Sequence, residues 1–192
     1  MTTAQNKLEL LLKDEKKRIC LYQAVFFVFS FLYIWLFCSD ILYQIFWNNY
    51  FVDNELFQCE TIRQTGGLLM YCGRFLNQIF AYNIPSGLFV AFLLTILQGA
   101  IQKVFCISQN SILSFIPSFL FLFELTTARY SIFFNFEISY FFAPLLGVFS
   151  AILICFANNG IKNRIPKWGR ISLFALTTVL LYPFIGMYST VA

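Results

Sequence analysis

Several stretches of the sequence each contain more than twenty consecutive residues without a charge. There are 21 uncharged residues between Arg18 and Asp40, 24 between Glu137 and Lys162, and 22 from position 171 to the end of the 192-residue chain. A helix of about 18 to 20 apolar residues crosses the ~30 Å hydrocarbon core of a bilayer. These stretches therefore predict membrane-spanning segments.

The composition points the same way and excludes an ordinary water-soluble domain. Hydrophobic residues make up 59% of the chain and charged residues 11%, whereas soluble domains are about 25% charged. A helix satisfies its own backbone hydrogen bonds in lipid, and the run "AVFFVFSFLYIWLF" lacks the alternation of a barrel strand. We therefore predict an all-α, polytopic transmembrane helix bundle.

Five apolar segments are predicted to span the membrane, within a transmembrane domain of residues 20–192 that follows a basic tail at 1–19. They are Cys20–Cys38, Ile84–Ile101, Ile112–Leu125, Ile138–Ala157 and Ile171–Tyr188. The third segment is short, so a re-entrant hairpin is an alternative. Pro117 inside it predicts a bend.

The distribution of Lys and Arg predicts the orientation of the spans. With the N-terminus inside, ten basic residues fall in inner segments and three in outer ones. The N-terminus is then cytoplasmic, the C-terminus is periplasmic, and the loop at 39–83 lies outside a bacterial inner membrane. Because the basic clusters flank the spans, we interpret them as topology signals and expect no nucleic-acid partner.

The outer loop contains two amphipathic patterns, which predict helices lying in the membrane interface rather than crossing it. The first, around residues 40–50, places Ile41, Leu42, Ile45 and Phe46 on one face. The second, at 67–81, is expected to turn Leu69, Cys72, Leu76 and Phe80 toward lipid or the bundle, and Arg74 and Asn77 toward water.

The acidic residues of this loop are the first candidates for chemistry, because the chain has no histidine to serve as base or metal ligand. They are Asp40, Asp53, Glu55 and Glu60. Carboxylates can accept a proton or hold a divalent cation, although a solvated loop also needs charge. Asp40 has the best-defined depth, since it directly follows the first span.

Two further sets of residues lead to separate hypotheses. Glu124, Arg129 and Glu137 bracket the third and fourth spans and form either a structural pairing or a transport site. Cys59 and Cys72 share the outer loop, and an oxidising periplasm would permit a disulfide between them. No phosphate-binding or dinucleotide fingerprint is present.

Several segments carry a resemblance to a known family. "FFVFSFLYIWLF…DILYQ", "GGLLMYCGRFLNQIFAYN…GLFVAFLLTIL", "IPSFLFLF" and "YPFIGMYSTVA" together resemble the front part of a family of uncharacterised inner-membrane proteins from anaerobic gut bacteria. The family is labelled as a domain of unknown function, so the resemblance implies no activity. Its members are longer, which implies that this chain is truncated at its C-terminus or unusually short.

The layout is also similar to that of GT-C-type glycosyltransferases, which use polyprenyl-phosphate sugars. That similarity implies Asp40 as the base and Asp53, Glu55 or Glu60 as a second acid or metal ligand. Basic residues would face the lipid phosphate, and the candidates are Arg63, Arg74 and Arg129. A divalent cation is expected only under this hypothesis, and otherwise no cofactor or metal is predicted.

Three functions remain open from the sequence. The first is a membrane module for cell-envelope assembly or anchoring, with membrane lipids as its partners. The second is a GT-C-like glycosyltransferase, or its N-terminal portion, acting on a lipid-linked sugar. The third is a small transporter using Glu124, Arg129 and Glu137.

Overall fold

The computed structural model describes residues 15–105, 112–133, 142–161 and 167–186. Within these ranges the chain is all-α, with eight α-helices, two short 3-10 segments and no strand. The helices are α1 Glu15–Phe37, α2 Ser39–Trp47, α3 Glu55–Ile62, α4 Gly67–Leu76, α5 Asn83–Val104, α6 Ile116–Phe133, α7 Phe142–Ile161 and α8 Lys167–Ile185. The 3-10 segments are Asn77–Ala81 and Ile112–Phe115.

Two of these helices, α1 and α5, are long and apolar enough to cross a membrane, judged by length and composition. Their qualifying stretches are Lys17–Phe37, with 21 residues, and Asn83–Val104, with 22. The other three predicted spans correspond to helices with shorter apolar stretches, at Leu113–Thr127, Phe142–Ala157 and Ala175–Ile185. The helical character of the described part of all five segments is thus confirmed, and within the described residues two of the five are long and apolar enough to span.

Helix α5 lies at the centre of the bundle. Its residues Val90, Leu94, Leu97 and Ile101 are buried and follow each other at spacings of four, three and four, which places them on one helical face. This face packs along α1, in the most extensive helix contact of the described residues, and also against α6 and α7. One continuous apolar core results.

The outer surface of the helices is apolar as well. Val25, Leu36, Phe123, Leu153 and Val179 are each at least 60% exposed, although a soluble protein rarely exposes large contiguous apolar patches. Helices that bury an apolar core and also expose apolar side chains are typical of a helix bundle surrounded by lipid.

The third apolar segment is a helix and not a hairpin over its described length. Helix α6 runs without a break from Ile116 to Phe133. Pro117 is its second residue, where proline removes no intrahelical hydrogen bond. Pro117 therefore begins the α-helix, directly after the 3-10 segment Ile112–Phe115, and the predicted bend there stays a prediction.

Residues 39–82 form a compact structure at one end of the helices, which we call the cap. The predicted face of α2 is confirmed, since Ile41, Leu42 and Ile45 are buried. These residues pack against the 3-10 segment Asn77–Ala81 and the start of α5. The cap is consequently part of the folded core rather than a separate loop.

The second predicted cap helix is shorter than expected, and its buried face differs. The α-helix ends at Leu76 and a 3-10 segment continues to Ala81. Phe80 is buried as predicted, but Asn77, expected to face water, is completely buried. The reason is that Gly73, one helical turn before Asn77, marks the face of closest packing. A pattern of large apolar residues cannot indicate such a face.

Candidate functional site

Helix α4 of the cap packs directly against the start of α7. A Cβ atom placed on Gly73 would lie 3.0 Å from the backbone nitrogen of Ala143, so only glycine permits this approach without displacement. Nearby, the rings of Phe80 and Phe142 stack with centroids 5.0 Å apart, and both residues are buried. The cap is thereby fixed to the N-terminal end of α7.

The segment before α4 is joined to the C-terminal end of α8. The backbone nitrogen of Gly66 donates a hydrogen bond to the carbonyl oxygen of Pro183 at 3.1 Å. Gly66 and Gly186 face each other and both have left-handed backbones, with φ of 76° and 64°. Glycine adopts this conformation without the steric cost of a Cβ atom, so both chain segments can turn at the contact.

An aromatic cluster holds the acidic part of the cap over α4. It consists of Phe51, Phe57, Tyr71 and Phe75, whose rings lie 5.4 to 6.4 Å apart in the contacting pairs. The guanidinium of Arg74 lies 5.6 Å from the centroid of the Phe57 ring, within the range of a cation–π interaction. Arg74, a predicted phosphate-binding residue, is therefore half-buried, with its guanidinium placed over the Phe57 ring.

Side-chain amides add polar contacts to the same cluster. Gln58 donates from Nε2 to the hydroxyl of Tyr71 at 3.0 Å and to Oδ1 of Asp53 at 3.3 Å. Asn49 donates from Nδ2 to the backbone oxygen of Arg74 at 2.8 Å. Asp53 and Arg74 are thus carried by one packed unit, which we call the cap platform, made of residues 49–58 and 71–75.

Two of the other acidic candidates, Asp40 and Glu55, lie at helix starts and are exposed. Asp40 is exposed in the first turn of α2, and Glu55 is exposed in the first turn of α3. A carboxylate there interacts favourably with the helix dipole, which gives both residues a structural role. Glu60 and Arg63 are exposed on or just after α3. Among the described residues, no three Cys, Asp or Glu side chains converge as metal ligands.

The remaining sequence candidates are only partly placed. Glu124 is exposed on α6, the backbone of Arg129 belongs to the same helix with its side chain outside the described part, and Glu137 lies outside the described residues. The proposed transport cluster of Glu124, Arg129 and Glu137 therefore stays a prediction. Cys59 is exposed, Cys72 is half-buried and both are free thiols here, so their pairing stays a prediction.

A second polar cluster, which sequence reasoning missed, lies at the opposite end of the bundle. Gln23 donates from Nε2 to Oε1 of Gln98 at 2.9 Å. Gln98, only 1% exposed, donates in turn to Oγ of Ser114 at 3.1 Å and Oε1 of Gln102 at 3.4 Å. The available signal was three glutamines, at positions 23, 98 and 102, within apolar helices.

Comparison with known proteins places the chain in one family. No curated protein and no solved structure matches it. A family model, described as a family of unknown function, matches nearly the whole chain, from residue 15 to residue 192. The chain belongs to this family, DUF6057, whose function is unknown.

Proposed function

We propose that the protein is a multi-pass membrane module that serves assembly or anchoring in the bacterial cell envelope. Its five long helices, α1 and α5 to α8, cross the inner membrane in alternating directions. The N-terminus is cytoplasmic, and the cap lies at the periplasmic surface. The apolar outer surface of these helices supports the membrane location.

The observation that carries this proposal is the set of helix ends that the cap joins. The cap follows the C-terminal end of α1 and leads into the N-terminal end of α5. It also packs against Ala143 at the start of α7 and bonds Pro183 near the end of α8. In a bundle with alternating directions and an N-terminus inside, all four of these ends lie on the outer side.

The surface of the cap is suited to a membrane interface or a protein partner. Trp47, Tyr50, Leu56 and Tyr82 are at least 65% exposed. Tryptophan and tyrosine are enriched where bilayers meet water, because their rings are apolar with a polar group at one edge. The cap platform, which includes Tyr50 and Leu56, is packed through its aromatic rings, so presenting this surface requires no catalytic residue.

A second function, a GT-C-like glycosyltransferase, is favoured by one observation at Asp40. This carboxylate is exposed, whereas Cys38 and Ile41 on either side of it are buried, so its depth at the end of α1 is well defined. In that enzyme Asp40 accepts the proton of the acceptor hydroxyl, and Arg74 faces the phosphate of a polyprenyl-linked sugar. Further candidates for phosphate binding are Arg63 and Arg129. Candidates for a second acid or metal ligand are Asp53 and Glu55.

Substitution of the acids separates the two functions. In a strain lacking its own copy, Asp40→Asn, Asp53→Asn and Glu55→Gln are introduced together, and detergent sensitivity reports envelope integrity. The membrane module predicts wild-type resistance, because the three carboxylates are exposed. Loss of resistance with normal protein levels in the membrane, reproduced by Asp40→Asn alone, would favour the enzyme.

A further inference from the structure

A cleft of about 750 Å³ opens between α1, α5 and α7 at the end of the bundle opposite the cap. Its walls include Phe92, Ile96, Leu153 and Phe156, all of which are at least 42% exposed. A cleft walled by exposed apolar side chains, on helices that face lipid, is accessible to an acyl chain from the side. Under the proposed function it opens toward the cytoplasmic leaflet.

The polar end of the cleft is formed by Gln23, Gln102 and Lys103. The first two are held by the buried amide of Gln98, which accepts from Gln23 at 2.9 Å and donates to Gln102 at 3.4 Å. Because Gln102 accepts through its oxygen, its Nε2 is still able to donate a hydrogen bond. Lys103 adds an exposed positive charge.

Gly99 keeps this polar end open. A Cβ atom there would lie 3.2 Å from Nε2 of Gln23, a distance at which the amide must move. A larger side chain at position 99 would therefore fill the cleft and disturb the amide. The absence of a side chain at Gly99 leaves room next to the amide and the lysine.

We infer that this cleft binds a phospholipid with an anionic headgroup. One acyl chain lies along Phe92, Ile96 and Phe156, and the phosphate contacts Lys103 and the Gln102 amide. A cation and an amide donor at the end of an apolar channel match an anionic amphiphile. The inference rests on the proposed membrane location, and adds to it a lipid site on the face away from the cap.

The chain supplies its own control, a second cleft without a charge. It has a volume of about 460 Å³ and is lined by Phe29, Tyr33, Ile116, Phe119, Leu120, Leu122 and Phe123. Acyl chains can enter it, but it offers no charged group to a phosphate. A lipid reporter there should respond equally to anionic and zwitterionic lipids.

The experiment uses tryptophan reporters quenched by brominated lipids. The three native tryptophans are replaced by phenylalanine, and either Phe156→Trp or Phe123→Trp is introduced. The full chain is reconstituted in phosphatidylcholine vesicles containing brominated phosphatidylglycerol or brominated phosphatidylcholine. For the position 156 reporter we expect about fivefold stronger binding of the anionic lipid, the effect of one lysine near the surface.

Two variants complete the test. Lys103→Gln should bring the lipid preference at position 156 close to one, and Gly99→Leu should weaken quenching there by both lipids. The preference at position 123 should be close to one throughout. Equal quenching at position 156, a preference that survives Lys103→Gln, or the same preference at both positions would overturn the inference. If neither reporter is quenched by any lipid, the proposed membrane location itself is wrong.

Discussion

Gly73 of the cap and Ala143 of α7 approach so closely that a Cβ atom on residue 73 would lie 3.0 Å from the Ala143 backbone nitrogen. Gly73→Val should therefore separate α4 from α7 and destabilise the protein by about 1–3 kcal/mol, the usual cost of overpacking. Unfolding by dodecyl sulfate in mixed micelles, followed by circular dichroism, measures this. Leu68→Val on the same helix is the control, because Leu68 is 40% exposed. An equal effect of both substitutions would contradict the assigned contact.

The adjacent glycines at 66 and 67 should respond differently to alanine. Gly66 has room for a Cβ atom, and only its positive φ opposes the change, so Gly66→Ala should cost about 1–2 kcal/mol. At Gly67 a Cβ atom would overlap the carbonyl oxygen of Thr61, so Gly67→Ala must displace the backbone and should cost more. The same unfolding assay ranks the two variants, and the reverse order would refute this geometry.

The glutamine pair at the far end of the bundle should show energetic coupling. Gln23→Leu and Gln98→Leu remove the two sides of a 2.9 Å hydrogen bond. Their double-mutant cycle should give about 0.6 kcal/mol of coupling, the average for interhelical hydrogen bonds in membranes. Gln58→Leu, in the cap, combined with Gln98→Leu should be additive. Coupling of equal size in both pairs would show that the cycle does not report the hydrogen bond.

The contact between Arg74 and Phe57 should stabilise the cap platform locally. Phe57→Leu keeps an apolar side chain but removes the ring that lies 5.6 Å from the guanidinium. We expect a loss of about 0.5–1 kcal/mol, seen as faster amide hydrogen exchange in α3 while exchange in α5 is unchanged. Val52→Leu, at a 57% exposed cap position, serves as the control and should leave exchange in α3 unaltered.

Local patterns in the sequence predicted much of this fold. Uncharged runs and helical periodicity identified the five apolar segments and the buried face of α2, because both signals come from neighbouring residues. The burial of Asn77 was not predictable in this way, since it depends on Gly73 meeting a helix 70 residues later in the chain. A close backbone approach through glycine has no apolar pattern to reveal it.

The candidate sites also divide into features that follow from neighbouring residues and features that depend on contacts between distant segments. Asp40 could be placed at the end of the first span from sequence alone, because its depth follows from the adjacent apolar run. The position of Arg74 against Phe57 and the link from Gln23 to Gln98 depend on pairing between separate segments. Glutamines in apolar helices were a usable signal for the second polar cluster, since buried amides require hydrogen-bond partners.

The central claim, that the cap and the opposite end of α5 lie on different sides of a membrane, is tested most directly by cysteine labelling. In a chain whose six native cysteines are replaced, Leu56→Cys reports the cap and Phe105→Cys the far end of α5. The native side chains are 71% and 63% exposed, so both positions are accessible to reagent. An impermeant maleimide should label position 56 in intact spheroplasts and position 105 only after lysis. Labelling of both positions in intact spheroplasts, or of position 105 alone, would contradict the account.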